Sequence, residues 1–250
     1  MTTPTQRFFG AAREGRLISG LARRLARPWE GIMDWAFADE LTRLANRYGS
    51  DKGNRVFARH YYTRIYHQLL AHLRNRPITL LEIGLQRDVN RDCPSLRMWR
   101  DYFPAARLIG FDIDDFSGLS LPNCRILQGD MSSRKDLSQL LALGPFDIVI
   151  DDGSHASAHQ QIALAFLFPQ VKPGGFYFIE DLNWQPQALE RADVPQTRVL
   201  LRRKCFDSPV ITHEEAQFLA GNVQSVQLFT ARDAYNLDKR DGLGLLTKIA

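Results

Sequence analysis

Short apolar runs alternate with amphipathic segments from about residue 78 onward, and this rhythm determines the predicted fold. Five runs have the length and composition of buried parallel strands, at 78–83, 107–112, 124–130, 146–152 and 176–181. Helical patterns separate several of them, at 95–102, 136–143 and 155–168. Strands that alternate with helices indicate right-handed crossovers, and therefore an α/β fold with a doubly wound, mostly parallel sheet.

The chain extends this unit at both ends. Upstream, helical spacing is visible from residue 41 to Gly49 and from 62 to 73. Downstream, residues 183–211 are rich in Pro, Gln and Arg and predict a substrate-side insertion, a mobile cover over the site. Thr212 and Glu215 fit a capping box for a further helix, and 225–229 with 243–249 predict a terminal antiparallel pair of strands. We therefore divide the chain into a basic helical N-terminal extension, 1–40, and a domain, 41–250.

Composition is that of an ordinary globular protein, with 44% hydrophobic and 24% charged residues in a chain of 250. No apolar run approaches the length of a membrane span, and the N-terminus lacks the apolar core of a secretory signal. Cys93, Cys124 and Cys205 are odd in number and show no metal-type spacing. These features predict a cytoplasmic protein without a membrane span.

The modest net charge of +4 is concentrated near the N-terminus, at Arg7, Arg13, Arg16, Arg23, Arg24 and Arg27. Such a segment could be an arm for nucleic acid or anionic lipid. It could equally be a solvated helical extension that packs on the domain or on a second subunit. Few aromatic residues are interleaved to stack on bases, which favours the second interpretation. We expect no nucleic-acid partner and leave a homo-oligomer open.

Acidic residues mark the ends of all five predicted parallel strands. In a doubly wound sheet, ligands bind outside the carboxyl ends of the strands. Asp112 suits a ribose diol, and Asp130 with Met131 suits an adenine ring. Helix capping would explain any one of these acids alone, whereas acids at every strand end favour a shared ligand. The candidate cofactor contacts are Glu82, Gly84, Asp112, Asp130, Met131 and Asp151.

The loop after the first strand departs from a nucleotide-binding pattern. Such folds usually place closely spaced glycines there, so that the backbone can approach the ligand. Here Gly84 is followed by a long, charged stretch, 85–94, without another glycine. The loop either wraps the cofactor with side chains or indicates that cofactor binding has weakened or been lost.

A second acidic cluster is predicted where strands four and five end, at Asp151-Asp152-Gly153-Ser154-His155 and Glu180-Asp181. Neighbouring strands lie about 4.8 Å apart, so carboxylates from their ends would converge and require a proton or a cation. Oxygen ligands select a hard ion such as Mg²⁺. We predict a metal site of Asp152, Glu180 and Asp181, with His155 as a base and His159 in a structural role. The alternative is that the aspartates cap a helix and His155 is an ordinary loop residue.

Several of these segments resemble one enzyme family. They are Leu81-Glu82-Ile83-Gly84, Ser95-Leu96-Arg97-Met98-Trp99, Gly110-Phe111-Asp112-Ile113, Gln128-Gly129-Asp130, Asp151-Asp152-Gly153-Ser154-His155, Lys172-Pro173-Gly174-Gly175 and Ile179-Glu180-Asp181-Leu182. Together they are similar to the metal-dependent sugar O-methyltransferases of macrolide biosynthesis and their relatives in cephalosporin biosynthesis. Upstream, Tyr48-Gly49-Ser50-Asp51-Lys52 and His60-Tyr61-Tyr62-Thr63 resemble the same family. The resemblance covers roughly residues 41–182.

The resemblance implies a class I methyltransferase with a Rossmann-like sheet, S-adenosyl-L-methionine as cofactor and Mg²⁺ held by Asp152, Glu180 and Asp181. Asp152 and His155 would be the catalytic residues, and the acceptor a hydroxyl of a sugar or glycosylated small molecule in antibiotic biosynthesis. Trp184 is placed to stack on a sugar face. The alternative function is a catalytically degenerate member of the fold with a binding, assembly or regulatory role, which the glycine-poor loop favours.

Overall fold

The computed structural model describes residues 38–55, 60–85, 92–232 and 240–250. The predicted N-terminal extension falls almost wholly on residues 1–37, outside the described residues. The compact unit considered below runs from Glu40 to Ala250. Within the described residues, no helix combines the length and the apolar character needed to cross a bilayer.

One mixed sheet of seven strands forms the centre of this unit. Its strands are β1 (Thr79–Ile83), β2 (Arg107–Asp112), β3 (Cys124–Gln128), β4 (Phe146–Asp151), β5 (Val171–Ile179), β6 (Val223–Arg232) and β7 (Arg240–Lys248), in the order β3-β2-β1-β4-β5-β7-β6. The first five strands pair in parallel, and β7 lies antiparallel between β5 and β6. The predicted doubly wound sheet with a terminal antiparallel pair is therefore confirmed.

Seven α-helices accompany the sheet in the described part of the chain: α1 (Glu40–Tyr48), α2 (Tyr62–Leu70), α3 (Pro94–Tyr102), α4 (Arg134–Leu137), α5 (Ser157–Leu167), α6 (Thr197–Arg203) and α7 (His213–Asn222). Short 3₁₀ turns extend α2, α4 and α5. The predicted capping box is present, because the Thr212 hydroxyl accepts from the Glu215 backbone N–H while the Glu215 carboxylate accepts from the N–H of Thr212.

Several strand boundaries differ from the sequence pattern. β5 begins at Val171 rather than at residue 176, so Pro173-Gly174-Gly175 lies within the strand. Gly174 has a φ of +72°, and the pairing register between β4 and β5 shifts there, as in a β-bulge. β3 and β4 end earlier than predicted, at Gln128 and Asp151. Asp130 and Asp152 consequently lie in the loops just beyond their strands.

Alternation along the strands divides the apolar side chains between the two faces of the sheet. Leu81 and Val149 belong to a core with α5, α6 and α7, whereas Leu80 and Ile148 belong to a core with α1, α2 and α3. A slip of one residue would exchange the two sets, so both cores fix the strand register. The register in turn fixes which side chains meet at the strand ends.

The strand order reverses at β1. β1 pairs with β2 on one side and with β4 on the other. The sheet therefore grows from β1 first toward β3 and then, in the opposite direction, toward β5. Such a switch point opens a crevice at the carboxyl ends of the strands. The candidate site lies there.

The segment 183–211 is packed against α5. The Glu190 carboxylate accepts from the backbone N–H of Ser157, at 2.6 Å, and from its hydroxyl, at 2.9 Å. The Gln161 amide donates to the Pro195 carbonyl at 2.6 Å, and Leu200 and Leu201 are buried in the core. These contacts place the segment against α5 and the core. Its role as a mobile cover over the site stays a prediction.

Candidate active site

A cavity of about 460 Å³ opens at the switch point, within the usual size range for small-molecule pockets. Four of the six predicted cofactor contacts line it: Gly84, Asp112, Asp130 and Met131. Ile113 and Leu189 add exposed apolar surface to the same wall. The cavity thus combines acidic groups with apolar faces, as a nucleoside would require.

Asp112 is held rigidly at this cavity. It is the last residue of β2 and is 7% exposed. One carboxylate oxygen accepts from the backbone N–H of Leu85 at 2.6 Å, and the other accepts from the N–H of Asp114 at 2.8 Å. These bonds fix the carboxylate across the ends of β1 and β2. A carboxylate has about four acceptor sites, so it can accept from both hydroxyls of a diol.

Gly84 is required by the close approach of two loops. Its φ is +86°, and a Cβ there would lie 2.1 Å from the backbone oxygen of Asp152. At Gly153 an added Cβ would lie 2.4 Å from the Met131 sulfur, which belongs to a flexible side chain. Gly84 lets the loops after β1 and β4 pack together, and both glycines line the cavity. Residues 86–91 of the glycine-poor loop lie outside the described residues.

Glu82 and Asp151 do not line this cavity. Glu82 lies within β1, is fully buried, and accepts a hydrogen bond from the Ser95 hydroxyl at 2.9 Å. Asp151 is also fully buried and accepts from the Gly153 N–H at 3.3 Å. Burial raises the pKa of Glu82 to about 7 and that of Asp151 to about 7. Their role as cofactor contacts stays a prediction, and their place beneath the cavity does not support it.

A smaller, polar cavity of about 110 Å³ adjoins the first. The two cavities share Gly84, Asp152 and Gly153 in their walls. The rest of the smaller cavity's lining comes from four parts of the chain: Ser50, Asp51 and Lys52 between α1 and α2, Leu85 after β1, Pro94 and Ser95 of α3, and His155 and Asp181 after β4 and β5. An extended ligand could therefore reach from Asp112 to the ends of β4 and β5.

Asp152, His155 and Asp181 form a candidate metal-binding group at this junction. One ligand atom from each lies within 4.8 Å of the others. β4 and β5 are neighbours, which brings the two aspartates together as the sequence predicted. Two carboxylates and an imidazole fit a divalent cation. Within the described residues His155, rather than the predicted Glu180, completes this group.

Glu180 points into the protein instead. Its residue is 1% exposed, and one carboxylate oxygen accepts from the Tyr66 hydroxyl at 2.6 Å. The other oxygen accepts from the ammonium group of Lys52 at 3.0 Å. Burial and the neighbouring Asp152 raise the pKa of Glu180. Its assignment as a metal ligand stays a prediction.

Lys52 lies among three of the acids. Its ammonium group contacts Asp152, Glu180 at 3.0 Å and Glu82 at 3.5 Å, and its side chain is 1% exposed. Burial disfavours its charge, but the three carboxylates together raise its pKa well above the usual value.

The upstream segment also orients Asp181. The Tyr62 hydroxyl donates to one Asp181 oxygen at 2.8 Å, and His60 Nδ1 lies 3.3 Å from the same oxygen. Lys52, His60 and Tyr62 belong to the two upstream motifs that resemble the family, but the sequence predicts no role for them. Their position in those motifs is the sequence feature that points to them. No spacing rule connects residue 52 to residues 152 and 180.

His155 has an unusual backbone and a defined orientation. Its φ is +58° and that of Asp181 is +56°, both in the left-handed region that non-glycine residues rarely adopt. Strain of this kind concentrates at functional sites, where the surrounding structure enforces it. The Nε2 atom lies 3.8 Å from Asp181, while Nδ1 is buried with no hydrogen-bond partner among the described residues. Nε2 is therefore the nitrogen available for chemistry.

His159 occupies a different position. Its Nδ1 lies 2.8 Å from the Ser154 hydroxyl, and its ring lines the larger cavity. It does not belong to the group formed by Asp152, His155 and Asp181. The structural role of His159 stays a prediction.

The sheet order, the crevice at β1 and β4 and the acids around it define the fold of a class I methyltransferase. No family model matches the chain. Over 146 residues the chain is 44% identical to the 8-demethyl-8-(2-methoxy-alpha-L-rhamnosyl)-tetracenomycin-C 3'-O-methyltransferase of Streptomyces olivaceus, covering 57% of this chain and 37% of that protein. It is 39% identical over 146 residues to the mycinamicin VI 2''-O-methyltransferase of Micromonospora griseorubida, covering 57% and 36%. The predicted resemblance to sugar O-methyltransferases is confirmed.

A solved methyltransferase structure is also similar to this chain. The MycE methyltransferase of the mycinamycin biosynthetic pathway, in complex with Mg, SAH and mycinamycin VI, superposes with a TM-score of 0.67 at 30% identity. The match covers 84% of this chain and 55% of that one. The chain thus spans little more than a third of the curated relatives, at 37% and 36%, and about half of MycE.

Proposed function

We propose that the protein is an S-adenosylmethionine-dependent O-methyltransferase that acts, with Mg²⁺, on a hydroxyl of a sugar or glycosylated small molecule. The observation that carries this proposal is the junction of the two cavities. There the group Asp152, His155 and Asp181 adjoins a nucleoside-sized cavity lined by Asp112. The sugar O-methyltransferases among its relatives, and the MycE complex, support the same reaction.

The residues of the chain divide the work between the two cavities. Asp112 and Asp130 would bind the nucleoside end of the cofactor, and Asp152 with Asp181 would hold the metal. When bound, the cofactor would supply an electrophilic methyl group and the metal would acidify the acceptor hydroxyl. His155 Nε2 would take the hydroxyl proton as the methyl group passes from sulfur to the acceptor oxygen. Tyr62 and His60 hold Asp181 in place during this step.

Two measurements test this function. In calorimetric titrations we expect S-adenosylmethionine and its demethylated product to bind. In turnover assays we expect methyl transfer to a rhamnosylated acceptor to require Mg²⁺. Binding without turnover on any glycoside, with or without Mg²⁺, would instead favour the catalytically degenerate binding protein. Absence of cofactor binding would contradict the assignment of the larger cavity.

Asp112→Ala should weaken cofactor binding about tenfold or more, because a hydrogen bond to a charged group contributes roughly 1.5–3 kcal/mol. The measurement is the dissociation constant of S-adenosylmethionine by calorimetry. Asp115→Ala is the matched control, since Asp115 lies in the same loop but is exposed and does not line the cavity. Equal affinities of the two variants would remove Asp112 from the cofactor site.

Trp184→Ala should raise the KM for the acceptor several-fold while the affinity for the cofactor is retained. The indole is 55% exposed, and its ring centroid lies 5.5 Å from that of His155, with an angle of 75° between the ring planes. An exposed aromatic face beside the proposed base is suited to pack on a sugar. Steady-state kinetics of Trp184→Phe, which retains a ring, provide the control. A change in stability alone, with KM unaltered, would make Trp184 a surface residue.

A cytoplasmic location is also part of the proposal. Cys93, Cys124 and Cys205 are all free thiols, as expected in a reducing compartment. A small-molecule glycoside is the partner that the site favours, and the absence of a nucleic-acid partner stays a prediction.

A further inference from the structure

Lys52 is buried where three strands end, and three acidic side chains surround its ammonium group. Glu82 lies near the end of β1, Asp152 follows β4, and Glu180 follows β5. These strands are adjacent in the sheet, so the three carboxylates converge. The ammonium group of Lys52 is in contact with all three.

The hydrogen-bonding groups of Lys52 and of the three carboxylates are complementary. A lysine ammonium has three N–H donors and no acceptor, and three carboxylates surround it here. Lys52 reaches them from the turn after α1, so its position does not follow from the strands themselves. Glu82 and Glu180 are buried and Asp152 is partly buried, and burial of such carboxylates without a cation would be strongly unfavourable. A lysine in this place therefore replaces the counter-ion that the acids need.

We propose that Lys52 is a positioning residue: its ammonium group is a built-in counter-ion that keeps Asp152 and Glu180 together at the strand ends when no divalent ion is bound, and it competes with such an ion for Asp152. The idea that an ion then binds rests on the proposed function. Asp152 links the two groups, because it contacts Lys52 and also belongs to the cluster with His155 and Asp181. Lys52 thereby also sets how strongly the site attracts a second cation.

The first test compares Lys52→Met with Lys172→Met. The second lysine pairs with Asp147 at 2.8 Å on a half-exposed surface away from the site and is the matched control. In chelator, Lys52→Met should lower the unfolding temperature by about 10 °C or more, as expected when one partner of a buried charge cluster is removed. Saturating Mg²⁺ should restore most of this loss and should stabilise the variant more than it stabilises the wild type.

Cation affinity distinguishes a counter-ion from a lysine that only supports the fold, because loss of the latter would not make a cation bind more tightly. Removing a positive charge beside the site should make Mn²⁺ bind at least about tenfold more tightly to Lys52→Met than to the wild type, because like charges repel at this distance. Unchanged or weaker Mn²⁺ binding would overturn the proposal. So would an unfolding temperature in chelator equal to that of Lys172→Met.

A double variant separates this proposal from the proposed metal site. Lys52→Met combined with Glu180→Gln removes one charge of each sign, so in chelator it should unfold at a higher temperature than Lys52→Met alone, or fold where the single variant does not. A double variant no more stable than the single one would overturn the counter-ion role. Recovery in the double variant, together with no Mn²⁺ binding to the wild type, would retain that role and contradict the metal site.

Discussion

Asp181→Asn is expected to abolish Mg²⁺-dependent methyl transfer and to weaken divalent-cation binding by at least about 100-fold. Replacing a residue that only orients a metal ligand already costs about 10–100-fold in metal affinity or activity, and Asp181 is itself a proposed ligand. Asparagine keeps the size of the side chain but removes the charge that attracts the cation. Mn²⁺ titration gives the affinity, and formation of the demethylated cofactor gives the rate.

The cofactor should bind the Asp181→Asn protein nearly as well as the wild type, because Asp181 lines the smaller cavity and not the larger one. Asp193→Asn is the control, since Asp193 is an exposed aspartate that pairs with Arg191 at 2.7 Å. Full activity of chelator-treated wild type would exclude the metal role. Loss of cofactor binding in parallel with metal binding would mean that Asp181 supports the whole pocket.

The period of the apolar residues was sufficient to predict the sheet. Runs such as 146–152 have no helical alternative of adequate length, and their flanking helices require parallel crossovers. The start of β5 was missed because Pro173 and Gly174 are typical of turns. In the structure these residues form an irregular part of the strand opposite Phe146 and Ile148, where pairing shifts register. The turn preference of Pro173 and Gly174 conflicts there with the pairing of β5 to β4, and the strand pairing determines the structure.

The candidate site could be predicted only where its residues follow strands. Asp152 and Asp181 lie beyond adjacent strand ends, so topology alone brings them together. Lys52 reaches the same place through the packing of α1 and α2, which no periodicity encodes. The direction of Glu180 was missed for the same reason, because its partners Tyr66 and Lys52 come from that upstream segment.

The position of His155 suits two functions, that of a metal ligand and that of a base. Its Nε2 atom lies close enough to Asp181 to share a cation, and it also faces the cavity junction as a free base would. The buried Nδ1 has no hydrogen-bond partner among the described residues, so the imidazole is not oriented by a carboxylate behind it. Its left-handed backbone and the Trp184 ring hold it instead.

We expect His155→Ala to slow the methyl-transfer step by about 10²–10⁴-fold, the usual contribution of a positioned acid or base, while Mn²⁺ affinity changes less than tenfold. An alcohol is a poor nucleophile at neutral pH, so loss of the group that takes its proton should lower kcat more than it raises the acceptor KM. His159→Ala is the matched control, because that histidine lines the cavity without joining the metal group. A fall in Mn²⁺ affinity comparable to that of Asp181→Asn would make His155 a ligand rather than the base. Normal turnover of His155→Ala would assign proton removal to another group.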